Sequence, residues 1–440
     1  MPSRHQEGTQ HTKEPLSSLR VLRAFLVNFY DRPIGLRLLL LLLLGLGVVL
    51  RLGRLDWQPL WADEGYSVYF ATEAPRRLLW LTAHDIHPPL YYGLLHGWLT
   101  LWSTPDPLRL RLFSVLLALP VLLLGGALAQ VFFTHRRPQL LFLALLLLNP
   151  LYLYYSQEVR MYGLALTLSM ASTLCCWQWV VPSKTSKLAQ GWLVAYVVTA
   201  TLALYTLYYL AFLLLAHALW VTWTLRKQGQ ALLRFWLAAG LIGLLYLPWV
   251  LYTARVLVNY VNDKVRSDQD VALAPWAYLA RHLLAFTSGH LPLPTALAFL
   301  PWTVLAVSLG LLLWALWRWP HTVNLTGKPS TQTLLWLCFA VPLMAAFLVN
   351  RVYPFSPVGA ERLLLFILPY FLLLLAGALA ELWQQQQWLW RIVGKLGFLL
   401  LLAAAVGGVW VFYTLPRYQE DDYRPLIRQI VQQGNDTDTV

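Results

Sequence analysis

Charge is scarce in this 440-residue chain. Asp and Glu number 20 against 33 Lys and Arg, and charged residues of either sign make up only 12%. The three cysteines, Cys175, Cys176 and Cys338, lie in apolar stretches and form neither a CxxC pair nor a metal-ligand spacing, so they define no disulfide framework and no zinc module. No internal repeat is evident, which argues against the repeated halves common in secondary transporters. No basic stripe interleaved with aromatics occurs in a soluble segment, so the net charge of +13 does not point to nucleic acid. A small-residue cleavage site is missing ahead of the first acidic motif, so the first apolar run reads as a retained helix, not a signal peptide.

What is abundant is apolar: 58% of residues, with runs at 38–44, 140–148 and 363–375. Repeated apolar stretches of about 17–25 residues are the signature of transmembrane helices. The pattern predicts an all-α polytopic membrane protein with about eleven spans, near 34–52, 112–133, 139–155, 161–181, 191–208, 210–225, 235–253, 296–317, 332–349, 363–382 and 392–414. The 22 Trp and 22 Tyr fit interfacial aromatic belts.

Three regions follow: a cytoplasmic tail over 1–33, a membrane domain over 34–414, and a short external tail over 415–440 in which Arg424 to Gln433 reads as an amphipathic helix. Arg20, Arg23 and Arg32 place the N-terminus in the cytoplasm. The short loops with Arg136–Arg137, Lys184 and Lys187, Arg226–Lys227, Arg318 and Lys328, and Arg391 and Lys395 then fall on the same side. The raw Lys and Arg count is even, about 17 inside and 16 outside, but the rule is counted on short loops, and there it holds. On this topology 16 of the 20 acids lie outside, and only Glu7, Glu14, Asp31 and Glu381 lie inside. Residues 88–104 are short for a span and open on Pro88-Pro89, so they are read as a helix lying in the outer interface. Two external loops are long, 53–111 and 254–295, and long loops in a compact protein tend to be functional.

The polar residues of the external face are the chemical candidates. Asp63 and Glu64, in Trp61-Ala62-Asp63-Glu64-Gly65-Tyr66, are adjacent carboxylates able to supply a general base; a solvated acid capping a helix would give the same pattern. His84-Asp85-Ile86-His87-Pro88-Pro89 has no standard zinc spacing, and His87 is either a donor to a phosphate oxygen or an interfacial histidine at a helix start. Glu158 and Arg160, in Ser156-Gln157-Glu158-Val159-Arg160-Met161-Tyr162, form a charged pair at a membrane surface or a local anchor for the turn. Arg351 and Glu361-Arg362 flank another helix mouth, and arginine is suited either to clamp a phosphate or to snorkel to headgroups. His217, deep in a span, reads as a hydrogen-bonding partner for a neighbouring helix.

Taken in order, WADEGY, the HPPLYY string, SQEVRMYGLAL and the late GAERLLLFILP resemble the GT-C membrane glycosyltransferases, in particular the bacterial branch related to protein O-mannosyltransferases and lipid A aminoarabinose transferases. The resemblance spans most of 34–382 and is strongest over 57–166. It implies transfer of a sugar from a polyprenyl-phosphate donor to a glycan, lipid or protein acceptor at the outer face of the cytoplasmic membrane. Asp63 would be the essential acid of the first external loop, with Glu64 as companion and Glu158 as the second catalytic acid. His87, Arg160, Tyr162 and Arg362 would meet the donor phosphate, although relatives carry a lysine near the position of His87. No cofactor is required on this reading, with a divalent metal as an optional assistant. Many relatives continue into a larger external domain, so the short tail implies a reduced acceptor-binding part or a truncated sequence. The competing readings are a flippase for lipid-linked sugars, for which repeats, broken helices and midplane polar residues would be expected, and a non-catalytic scaffold, which would tolerate neutralising Asp63 and Glu158 together where a transferase should not.

Overall fold

In a computed structural model the described residues are 34–102, 106–181, 186–268, 271–290, 295, 299–322, 331–355, 357 and 359–416. The tail with Arg20, Arg23 and Arg32, the loop residues Lys184 and Lys328, and the proposed C-terminal helix from Arg424 to Gln433 lie outside them. The described chain is all-helical, with no strand.

Over its described residues each predicted apolar segment is mostly helical, with 296–298 lying outside them. Helix α1 (Ile34–Leu52) leads into three short helices, α2 (Ala62–Thr72), α3 (Pro75–His84) and α4 (Leu90–Leu99). Then come α5 (Pro107–Ala118), α6 (Pro120–Phe132), α7 (Arg136–Leu147), α8 (Pro150–Gln157), α9 (Tyr162–Val180), α10 (Ser186–Leu204) and α11 (Leu210–Leu225). The second half holds α12 (Gly229–Asp268), α13 (Pro275–Ser288), α14 (Leu300–Thr322), α15 (Thr331–Val352), a 3-10 helix (Ala360–Ile367), α16 (Leu368–Gln384) and α17 (Trp388–Thr414). Proline opens α3, α5, α6, α8 and α13, where its missing N–H costs no bond and its fixed φ suits the first turn.

Among the described residues six stretches are long and apolar enough to cross a membrane, namely α5 with α6, α12, α14, α15, the 3-10 helix with α16, and α17, or seven if the bent pair α7 and α8 is one span. The expected number of about eleven therefore exceeds what length and hydropathy support. Helix α4, inside the segment read as interfacial, has ten residues, a rise of about 15 Å, too short to cross. The span expected at 235–253 is instead part of a 40-residue helix that carries on to Asp268, with Pro248 inside it.

Burial separates a core from an apolar rim. Helices α9 and α16 are buried over most of their length. By contrast α12 presents Leu233, Trp236, Leu237, Leu241, Leu244 and Leu251 outward. A contiguous apolar face of this kind is costly in water and free of cost against lipid.

Two local devices shape the end of the bundle that carries the acids. Helices α7 and α8 meet at a 48° bend. There Asn149 Oδ1 accepts the N–H of Tyr152 at 2.9 Å, while its Nδ2 donates to the Phe286 carbonyl at 2.7 Å, tying the bend to α13. Helix α13 itself ends at Gly289, whose φ of +77° lies in the region glycine tolerates, packed against Pro150. The bend redirects the chain so that Ser156 to Tyr162 turns back under the first loop. At the other end of the bundle Thr134, His135, Arg136, Arg137 and Gln384 surround a cavity of about 530 Å³, and Arg318 lies 3.6 Å from Glu381.

Candidate active site

The two acids of the first motif have opposite environments. Glu64 is 1% exposed, and both its oxygens are engaged. Arg111 Nε donates to Oε1 at 3.1 Å and Arg111 Nη2 to Oε2 at 2.7 Å; the Val159 amide adds a bond to Oε1 at 3.0 Å. The Trp61 amide donates to Oε2 at 3.4 Å, closing the first turn of α2. Arg111 also donates to the carbonyls of Leu55, Gln58 and Pro59, each at 2.8 Å. A forked guanidinium with this many acceptors is a structural hub, and it fixes the loop to α5.

Asp63, one residue earlier, is 27% exposed at its side chain. Its Oδ2 lies 3.0 Å from Arg362 Nη2 and 3.8 Å from Arg160 Nη2. Arg160 Nη1 further donates to the Asp63 carbonyl at 3.3 Å. Arg160 and Arg362 each retain a buried Nε without a partner. Arg362 stands over the rings of Trp61, at 5.5 Å, and Tyr162, at 5.8 Å, so Tyr162 contributes a ring face to the site.

Glu158 sits beneath this group, 4% exposed. Trp61 Nε1 donates to its Oε1 at 3.0 Å, while Oε2 is buried without a partner. Burial raises its pKa to about 7, against the opposing pull of Arg362 and Arg160 and with a smaller push from Glu64 and Asp63.

His87 belongs to the same constellation, through Arg160. Arg160 Nη2 donates to His87 Nε2 at 2.9 Å, and Asp85 Oδ2 lies 3.0 Å from His87 Nδ1. Since Nε2 accepts, it has no proton to give a phosphate in this arrangement. His84 is turned away, stacked on Trp80 with Nδ1 against the Trp80 carbonyl.

The structure thus brings together Asp63, Glu158, His87, Arg160, Tyr162 and Arg362, and packs Glu64 behind them. Arg351 is exposed, and Glu361 pairs with Arg281 of α13 instead of facing the group. Arg111 and His290 were not singled out in the sequence, and Asp85 was read only as a member of the histidine string. Arg111 is, with Arg109, one of two cations opening an otherwise apolar run, Asp85 is one acid of a loop string, and His290 packs its ring at 4.6 Å from Tyr154 and 5.6 Å from Tyr155. Only for Arg111 was there a usable hint, since a charge inside an apolar stretch needs a partner. Among the described residues no group of three or more His, Cys, Asp or Glu is gathered to hold a metal ion. Asp63 and Glu64 are matched instead to arginines.

The arrangement of helices is similar, at the level of the fold, to that of solved membrane transferases. The chain is similar to ArnT from Cupriavidus metallidurans bound to undecaprenyl phosphate, with 14% identity and a TM-score of 0.55, over 90% of this chain and 80% of that one. It is also similar to the oligosaccharyltransferase AglB from Archaeoglobus fulgidus in complex with an inhibitory peptide and a dolichol-phosphate, with 12% identity and a TM-score of 0.55, over 90% of this chain and 58% of that one. Both are GT-C enzymes, and the resemblance read from the motifs is therefore met at the level of the fold. No protein-family model matches the chain, and no curated protein does.

Proposed function

We propose that the protein transfers a sugar from a polyprenyl-phosphate donor to an acceptor hydroxyl, with its site at the outer face of the cytoplasmic membrane. The observation that carries this reading is the pair of guanidiniums, Arg160 and Arg362, converging on one half-exposed carboxylate, Asp63, with spare buried donors behind them. A carboxylate alone would need one such partner. Two, each with an unused N–H, suit a second anion, and a phosphate accepts from forked donors.

In the proposed step the acceptor oxygen attacks the anomeric carbon and its C–O bond to the phosphate breaks. The electron pair leaves on polyprenyl phosphate, where Arg362 and Arg160 stabilise it, and the acceptor proton passes to Asp63. The arginines that neutralise Asp63 are the ones the phosphate would claim, so donor binding frees the carboxylate to take the proton. Glu64 acts as a positioning residue: its oxygens are used by Arg111 and Val159, and it holds α2 so that Asp63 faces the arginines. Tyr162 orients Arg362 through its ring, and the prenyl chain lies along the apolar rim.

A second reading assigns the proton to Glu158. Its free Oε2 and a pKa near the working pH are what a general base requires. The test is release of prenyl phosphate by purified protein from a panel of polyprenyl-phosphate sugars, with and without EDTA, for the parent, Asp63→Asn and Glu158→Gln. Loss in Asp63→Asn alone supports Asp63 as base, loss in Glu158→Gln alone supports the second reading, and release that is EDTA-sensitive assigns a metal a part. A parent protein that uses none of the donors overturns the proposal.

A further inference from the structure

We propose that Asp85, His87 and Arg160 form a positioning relay in which Asp85 fixes the histidine ring, and the ring in turn fixes the guanidinium that faces Asp63. The inference rests on the transferase reading for its consequence, but not for its geometry.

Arg160 is the fixed point. A guanidinium has five donors and no acceptor, so the 2.9 Å contact between Arg160 Nη2 and His87 Nε2 requires a lone pair on Nε2. A neutral ring then carries its proton on Nδ1. That nitrogen lies 3.0 Å from Asp85 Oδ2, an electrostatic contact off the line of the N–H and not an aligned hydrogen bond. Burial and the Arg160 charge, the two largest influences, lower the pKa of His87, while Asp85 works in the opposite direction. The neutral ring with Nδ1–H is the form compatible with both neighbours: Nε2 accepts from Arg160, and the Nδ1–H dipole lies beside the Asp85 carboxylate. Asp85 selects this tautomer, as a carboxylate behind a histidine commonly does.

The backbone is built to hold the pair. Ile86, between the two, has φ of +56°, a conformation that β-branched residues rarely adopt. It brings the side chains on either side of it to the same nitrogen-and-oxygen contact. His87 is further anchored by its amide, which donates to the Thr82 carbonyl at 2.9 Å, and by an edge-on contact with the Tyr92 ring at 5.9 Å. On its far side Arg160 is held by the Asp63 carbonyl. The guanidinium is thus gripped by His87 on one flank and by Asp63 on the other, leaving its Nε free. A residue at 85 with no acceptor would loosen the grip without touching the reacting groups.

The test reads the ring itself. Protein labelled with ¹⁵N-histidine in lipid nanodiscs, with His87 assigned by its absence in His87→Gln, should show Nδ1 protonated and Nε2 bare. In Asp85→Ala the Nε2–H tautomer should gain population, and in Asp85→Asn, which keeps an acceptor, the change should be smaller. With a polyprenyl-phosphate sugar as substrate, Asp85→Ala should lower kcat by about 10-fold with a smaller change in KM, and Asp85→Asn should recover part of the loss. A parent ring protonated on Nε2, or an Asp85→Ala spectrum identical to the parent's, overturns the relay whatever the turnover. A parent that uses no such donor overturns the transferase reading and leaves the spectrum to decide the relay. Asp85 is 34% exposed at its side chain in a loop, so its variants should fold; a monodisperse gel-filtration profile checks this.

Discussion

Two polar clusters lie in this apolar protein, and they are built on opposite rules. Between α9, α11 and α16, Thr173 Oγ1 contacts His217 Nε2 at 2.9 Å and the Tyr370 hydroxyl at 2.5 Å, and Tyr370 donates to the Ser169 carbonyl at 3.0 Å. The side chains of Thr173, His217 and Tyr370 are fully buried, carry no opposed charges and meet one another, with the Ser169 carbonyl as a shared acceptor. At the end of the bundle, Asp63, Glu158, Arg160 and Arg362 are charged or chargeable, unevenly satisfied and partly open. A neutral, closed network joins helices, because leaving any of its members unpaired is costly. A charged group with spare donors and a spare oxygen is held in place by the fold around it and is ready for a ligand.

That contrast can be broken most directly at Asp63. Asp63→Asn should lower transfer by about 10³-fold or more while leaving the thermal midpoint near the parent's, since one neutral acceptor still meets Arg362. Full activity would move Asp63 into the structural class. Arg111→Met should do the reverse. It strands a buried Glu64 carboxylate, and about 3–5 kcal/mol of stability should go with it, seen as a collapse of the folded fraction in detergent. Arg362→Gln lies between the two: a loss of about 10²-fold in kcat/KM with prenyl-phosphate donors and a nearly normal unfolding midpoint.

The sequence was informative about these clusters in proportion to how local they are. WADEGY and SQEVRMYGLAL could be read as functional strings because charges at a membrane edge demand an explanation. The helices were visible because long apolar runs leave few alternatives, and the prolines mark their starts. What was hidden is long-range pairing. Nothing in the string tells Asp63 from Glu64; the difference is made by Arg111, 47 residues away from Glu64, and by Arg362, at the far end of the chain. The bend at Asn149 was invisible for the same reason, since its partner is the Phe286 carbonyl. His217 was read correctly as a helix-to-helix partner because one neutral ring in an apolar span has little else to do, though its contacts with Thr173 and Tyr196 could not be assigned in advance.

The closed cluster gives a milder prediction. Thr173→Val keeps the shape and removes the hydroxyl that bridges His217 and Tyr370, so the protein should lose about 1–2 kcal/mol of stability. Transfer per folded molecule should be unchanged. A drop in kcat without a drop in the midpoint would contradict the division between a structural and a reactive cluster.

Glu158 supplies the finest test, through pH. Its folded pKa of about 7 stands above the ordinary carboxyl value of 4.5, so the folded protein holds this proton more tightly than the unfolded chain. For a raised carboxyl the stabilising contribution is full below 4.5 and is lost as pH rises through about 7. The parent protein should therefore lose thermal stability between about pH 5 and pH 8 relative to Glu158→Gln, whose side chain does not titrate. The gap between the two midpoints should widen upward in pH, by a few degrees, and activity should be read in the same buffers. If Glu158 is the base, transfer rises through the same pH window; if it only lines the site, the midpoint moves and transfer does not follow it. Parallel midpoint curves would mean that Trp61 and the arginines keep Glu158 charged, and the raised carboxyl would then be absent from the site altogether.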